Sequence, residues 1–158
     1  MKTLVIVFHP DPKRSHRNSA LLDHINKLSN TTIRTISSFD IDVKMEQELI
    51  LCFERIILQF PLFWYSVPAC GKFYIDQVFT NEFSKCGLGE RTTVLKGKHM
   101  KMVYTTGGPK NFYTQPMIVT QSWQMFAEYL GMIWEDPFVL YGGQDESLAD
   151  QYSEQLAT

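Results

Sequence analysis

Three short stretches of this chain carry residue types that can hold and orient a ligand. Residues 60–68, FPLFWYSVP, crowd Phe60, Phe63, Trp64 and Tyr65 around Pro61 and Pro68. Four aromatics in so short a loop cannot all enter a core, and the two prolines stiffen it. The combination predicts a preformed wall for something flat and apolar; a loop packed against the body of the protein is the plainer alternative. Residues 9–18, HPDPKRSHRN, place Ser15, His16, Arg17 and Asn18 where a helix begins. Free N–H groups and the helix dipole make such a start an anion site. Ser15 adds a hydroxyl, and Arg17 and Asn18 add donors. A capped helix with solvated basic residues would leave the same pattern. Residues 105–113, TTGGPKNFY, supply Thr105, Thr106, Gly107, Gly108 and Tyr113. Paired glycines let backbone approach a ligand closely, and their N–H groups can donate to a ligand oxygen or ring nitrogen. A tight turn before Pro109 is the ordinary alternative.

One ligand accounts for all three stretches: a phosphate on the first, a flat ring along the second, ring-edge donors on the third. Flavin mononucleotide (FMN) has that shape. Rival chemistries lack their signatures. No G-x-G-x-x-G follows the first strand, and no G-x-x-x-x-G-K-[ST] or G-x-S-x-G occurs. His9, His16, His24 and His99 lack paired metal-ligand spacing, so no metal is expected. Cys70, just inside a helix start, is either a thiol of lowered pKa or a small core residue.

The elements that must position these loops follow from hydrophobic periodicity. Strands are expected at 4–8, 32–36, 56–58, 99–105 and 132–140, the last interrupted by Asp136-Pro137. Helices are expected at 18–28, 43–52, after Pro68, at 117–130 and at 146–156. Ser15 or Asn18 would cap the first helix, Asp40 or Asp42 lies near the start of the second, and Gly131 ends the fourth. In that fourth helix Ile118, Trp123, Phe126 and Leu130 are the expected core contacts. Strand–helix alternation five times over predicts an α/β, flavodoxin-like fold: a five-stranded parallel sheet in the order 2-1-3-4-5 with helices on both faces. The loops after strands one, three and four then open on the same edge, which is where such sheets bind ligands. Residues 80–97 form the longest irregular segment. No repeat or domain boundary interrupts 1–158, so one domain is expected.

Composition narrows the classes further. A net charge of −2 gives no footprint for nucleic acid and is far from the strong acidity of flavodoxin-type electron carriers. No apolar run approaches membrane-spanning length, and the N-terminus lacks a signal-peptide pattern. The three cysteines, Cys52, Cys70 and Cys86, form no C-x-x-C and read as free thiols of a reducing cytoplasm.

Most of the chain resembles the NAD(P)H:quinone oxidoreductases of flavodoxin-like fold, which include DT-diaphorase and bacterial quinone reductases ancillary to glutathione-gated potassium-efflux systems. The resemblance rests on VFHPDPKRSHRNSALL, FDIDVKMEQELI, RIILQFPLFWYSVPACGKFYIDQVF, LKGK, YTTGGPKNFY and YLGMIWEDPFVLYGG, in the family's order. It implies a bound flavin, FMN in the short bacterial members and FAD in the longer animal ones, with NAD(P)H as co-substrate. It implies a homodimer with each active site at the interface. By position, His9, Ser15, Arg17 and Asn18 match the stretch holding the phosphate end. Pro61, Leu62, Phe63, Trp64 and Tyr65 match the stretch along the ring system. Thr105, Thr106, Gly107, Gly108 and Tyr113 match its pyrimidine edge, where Gly107, Gly108 and Tyr113 are the catalytic candidates. Two departures stand out. The family's aromatic-Ala-Tyr-Gly pattern is replaced by EFSKCGLGE at 82–90, and Tyr113 is followed by TQPMIV rather than a nearby histidine. The expected activity is ping-pong transfer of two electrons from NAD(P)H to a quinone or similar acceptor. The alternatives are a regulatory subunit of a membrane transporter and a one-electron carrier.

Overall fold

The computed structural model describes residues 1–80, 83, 93–115, 117–144 and 148–157. Strands β1 (Thr3–Phe8), β2 (Thr31–Ile36), β3 (Arg55–Pro61), β4 (His99–Thr105) and β5 (Ile133–Leu140) alternate with helices. These are α1 (His16–Ile25), α2 (Val43–Leu51), α3 (Ala69–Val78), α4 (Met117–Tyr129) and α5 (Leu148–Ala157). All strand pairs are parallel, and the sheet order is β2-β1-β3-β4-β5. The flavodoxin-like architecture expected from the alternation is the one observed.

The central strands are buried on both faces, so they read as continuous apolar runs. Leu4, Ile6 and Phe8 of β1 join Ile56, Leu58 and Phe60 of β3 and Met100, Met102 and Tyr104 of β4 on one face. Helices α2, α3 and α4 cover them. Val5, Val7, Ile57 and Val103 point the other way, onto Leu21 and Ile25 of α1 and Ala149, Tyr152 and Leu156 of α5. This period-two split is what a doubly covered strand requires. Contact between α3 and β1 is close at one point. A Cβ on Gly71 would stand 2.4 Å from Val67 Cγ2 and 2.7 Å from Phe8 Cγ, so only glycine fits there.

Several sequence expectations need correction. Phe60 is not a loop aromatic; it is a fully buried strand residue stacked 6.3 Å from Tyr104. Asp136-Pro137 does not interrupt β5. The pairing steps from Lys101↔Glu135 to Val103↔Phe138, a bulge that absorbs one residue on an edge strand, where proline is tolerated. Ile118 is exposed rather than core, because α4 presents Val119, Trp123, Phe126, Ala127 and Leu130 to the sheet. Helix α1 begins at His16, so Asn18 lies inside it. Cys70 is buried against Ile36, and burial raises its thiol pKa rather than lowering it. Asp42 does cap α2, its Oδ1 accepting from Met45 N at 3.1 Å, and Gly131 takes a φ of +68° after α4. The segment 82–90, with Lys85 and Cys86, lies outside the described residues except for Phe83.

Candidate functional site at the sheet edge

A cavity of about 370 Å³ opens at the carboxyl ends of β1, β3 and β4. Its walls come from all three loops singled out in the sequence. The first loop gives His9, Ser15, His16, Arg17 and Asn18, the second Pro61, Leu62 and Phe63, and the third Thr105, Thr106 and Gly107. Arg14 joins them.

One end of the cavity is the start of α1. Ser19 N donates to Ser15 O, the carbonyl of the cap residue, and opens the helical ladder, so the N–H groups of His16, Arg17 and Asn18 have no intrahelical acceptor. Ser15 sits at the cap position, yet its hydroxyl makes no capping bond. That hydroxyl is buried and without a hydrogen-bond partner. An orphaned buried hydroxyl costs about 1–3 kcal/mol. Its position beside three free N–H groups is that of a donor set for an oxyanion. His9 is also mostly buried, and its Nδ1 accepts from Asp11 N at 3.0 Å, which leaves the proton on Nε2. Burial lowers its pKa, against the pull of the Asp11 carboxylate.

Beneath the cavity lies a buried polar chain. Tyr152 donates to Gln59 Oε1 at 3.2 Å, and Gln59 Nε2 donates to Asn18 O at 3.3 Å. Asn18 Nδ2 in turn donates to Thr105 Oγ1 at 3.1 Å. Asn18 thus ties α1 to β3, β4 and α5. One N–H of its side-chain amide is engaged beneath the cavity that Asn18 also lines. Arg17 departs from expectation: its guanidinium donates to Thr106 O and Tyr141 O.

The aromatic loop behaves differently from a flat wall. Phe63 and Ser66 exchange backbone hydrogen bonds at 2.9 and 3.0 Å, closing a two-residue hairpin over Trp64 and Tyr65. Both tip residues have positive φ, +50° for Trp64 and +63° for Tyr65. Left-handed backbone at bulky residues is strained, and such strain collects at ligand clamps. Trp64 is 96% exposed and does not line the cavity, so the turn aims it outward. Phe63 remains on the wall, 6.3 Å from His9 edge to face. Tyr65 sits 6.0 Å from Tyr113, which sits 5.7 Å from Tyr141. Tyr65 and Tyr113 line a neighbouring cavity of about 210 Å³ with Phe112, Thr114, Gln115, Ile118 and Val119.

At the third loop, the N–H groups of Gly107 and Gly108 have no backbone acceptor among the described residues. Gly108 O is engaged, taking bonds from Thr106 Oγ1 and Gly142 N at 2.8 Å each. Glycine at 108 also leaves room for Phe112, whose Cδ2 would lie 2.9 Å from an added Cβ.

The whole chain, residues 1–158, matches the model of a family described as a flavodoxin-like fold. The chain belongs to that flavodoxin-like family. The glutathione-regulated potassium-efflux system ancillary protein KefF of Salmonella schwarzengrund (strain CVM19633) is 35% identical over 170 residues, covering 98% of this chain and 95% of its own. The crystal structure of an NADPH-quinone reductase from P. pentosaceus aligns with a TM-score of 0.87 at 29% identity, over 100% of this chain and 98% of that one. General stress protein 14 of Treponema denticola, solved in complex with FMN, shares the fold at a TM-score of 0.84 and 22% identity, over 98% and 95% of the two chains. These likenesses bear out the quinone-reductase resemblance read from the motifs. Within this flavodoxin-like chain, four contributors escaped the sequence reading: Arg14, Gln59, Tyr141 and Gly142. Arg14 and Gln59 lie inside stretches already singled out, a basic loop and a central strand where a lone glutamine is unexpected. Tyr141 and Gly142 follow β5, whose loop gave no separate signal.

Proposed function

We propose that this protein is a flavin-dependent NAD(P)H dehydrogenase acting on quinones or similar aromatic acceptors. The observation that carries the reading is the buried, unpartnered Ser15 hydroxyl beside the free N–H groups of α1, in one cavity with the strand-end loops. The donor set fits the phosphate of FMN; FAD would need further room for its adenylate. In this reading Ser15, the N–H groups of residues 16–18 and the neutral His9 Nε2–H hold the phosphate. Pro61, Leu62 and Phe63 flank the ring system. Thr105, Thr106 and the Gly107 and Gly108 N–H groups meet its polar edge. FMN, when bound, supplies the redox chemistry, taking two electrons as hydride from NAD(P)H and delivering them to the acceptor.

The chain's own part is placement and electrostatics. Preorganised N–H donors at the ring edge stabilise negative charge where it develops, without reorganisation during the reaction. Tyr65 and Tyr113 line the neighbouring cavity, which in this reading would receive nicotinamide and acceptor in turn. Trp64 and Tyr65 at the strained tip would close over the bound acceptor or contact a second copy of the chain. A homodimer is part of the proposal. Ile118, Met125 and Tyr129 repeat at helical spacing on the exposed face of α4, beside that cavity. A cytoplasmic setting agrees with the free thiols of Cys52 and Cys70, and no described helix is long and apolar enough to cross a membrane.

The deciding experiment is the visible spectrum of the purified protein, before and after NADPH without oxygen. Flavin bands that bleach on NADPH are expected. No flavin after incubation with FMN and FAD would overturn the reading. A second reading, an ancillary subunit of a potassium-efflux system, is favoured by the 35% identity to KefF. Co-purification with a transporter, without NAD(P)H oxidation, would move it to first place.

A further inference from the structure

Arg17 stands in the first turn of α1 and lines the cavity, yet its guanidinium is engaged by two backbone carbonyls. Nη1 donates to Thr106 O at 2.7 Å and Nη2 to Tyr141 O at 2.5 Å. These carbonyls belong to two further loops, those after β4 and β5. The two loops are themselves closely joined. Gly142 N donates to Gly108 O at 2.8 Å and to Thr106 Oγ1 at 3.2 Å. A Cβ on Gly142 would fall 2.2 Å from Gly107 O, so the backbones touch at glycine. A planar fork of donors can bridge two carbonyls; a lysine ammonium on its flexible stem holds no such fixed geometry.

We propose that Arg17 is a positioning residue for the ring edge of the flavin rather than a phosphate ligand. It latches the turn at 106–108 to α1, and so fixes the direction of the Gly107 and Gly108 N–H groups. The inference rests on the flavin reading above. It separates two roles that the same residue could play. A phosphate ligand matters only for FMN, whereas a ring-edge latch matters equally for riboflavin, which has the same ring and no phosphate.

The test is titration of the flavin-free protein with FMN and with riboflavin, followed by flavin fluorescence, for wild type, Arg17→Lys and Arg17→Met. Lysine keeps the positive charge, so it separates the fork from long-range attraction to phosphate. Arg17→Lys is expected to weaken both flavins by the same factor, about tenfold or more, the scale of one charge-assisted hydrogen bond. The latch is overturned if Arg17→Lys binds both flavins as wild type does, or if either variant loses FMN affinity while riboflavin binding stays unchanged in both. Amide hydrogen exchange in the flavin-free protein reads the latch by itself. Exchange at Thr106 and Gly142, whose N–H groups donate to Leu140 O and Gly108 O, should quicken in Arg17→Lys; unchanged exchange would overturn the latch even if the flavin affinities fall. Wild type binding neither flavin overturns the flavin reading and the ring-edge role with it, a result distinct from all the others.

Discussion

Tyr113 and His9 show how the environment of a side chain decides what it can do at this site. Tyr113 is half-buried, with its ring near Tyr65 on one side and Tyr141 on the other. It lines the neighbouring cavity, not the one that holds the α1 donors. Replacing it with phenylalanine keeps the aromatic wall and removes only the hydroxyl. Tyr113→Phe should leave FMN bound and slow its reduction by NADPH about tenfold in stopped-flow measurements; an unchanged rate would remove the hydroxyl from the mechanism. His9 makes a prediction about acid. Its Nδ1 must stay unprotonated to accept from Asp11 N, and burial also disfavours the charged ring. As pH falls, the unfolded chain takes up this proton first. His9 therefore contributes stability fully above the ordinary histidine value of about 6.5, and loses it as pH drops through the lower folded value. His9→Asn offers an oxygen to the same N–H without titrating, so its urea midpoint should fall less on acidification than that of wild type. Equal acid slopes would mean that His9 is not the group responsible. The place of Ser15 at the start of α1 was legible, because serine is a common residue before a helix; that its hydroxyl would make no capping bond was not. The direction of Arg17 was not, since its acceptors lie 89 and 124 residues away in sequence.

The hairpin at the end of β3 is a local device built from unfavourable backbone. Pro61 closes the strand, Phe63 and Ser66 pair, and the two residues between them take left-handed φ without being glycine. A left-handed turn costs an ordinary residue roughly 1–2 kcal/mol. Trp64, almost wholly exposed, recovers little of this by burial. Trp64→Gly should therefore raise the unfolding free energy by about 0.5–1 kcal/mol, after the extra entropy glycine loses on folding. It should also lower turnover with quinone. Urea denaturation and steady-state assays check the two halves, and a destabilised variant with full turnover would deny the strain any function. The strand–helix alternation was plain in the sequence because period-two and period-3.6 patterns of apolar residues are local. The errors came where local pattern meets tertiary choice. Phe60 was grouped with the loop because nothing local separates it from Phe63; the sheet decides, by stacking it on Tyr104. Ile118 follows the same logic, as the phase of α4 is set by where Val119 and Ala127 meet the sheet. Asp136-Pro137 looked like a break because the tolerance of β5 as an edge strand depends on its place in the sheet order.

Part of the exposed apolar surface gathers on α4 and beside the smaller cavity. Ile118, Met125 and Tyr129 are spaced seven and four residues apart, which sets them on one face of α4, and each is well exposed. Ile118 shares the smaller cavity with Tyr65 and Phe112, both also exposed, so the stripe runs from the helix to the mouth of the site. A contiguous apolar patch of this kind marks an interaction surface. A second copy, related by a two-fold axis, would bury the stripe against itself and place a neighbouring chain beside the Tyr65–Tyr113 cavity. Such an arrangement would also give the outward-facing Trp64 a surface to meet. Met125 gives the sharpest test, because its exposure makes it dispensable to the fold of a single chain. Met125→Glu would set two carboxylates near one another across the axis, in surroundings that neither solvate nor pair them. The wild-type protein should sediment as a dimer at micromolar concentration and Met125→Glu as a monomer. Its thermal midpoint should shift only by what the loss of the dimer removes, and it should still bind FMN. Quinone reduction should fall in the monomer because the acceptor cavity lacks its second wall. A dimeric Met125→Glu with full activity would place the interface elsewhere. A monomeric wild type with full activity would show that one chain completes the site alone.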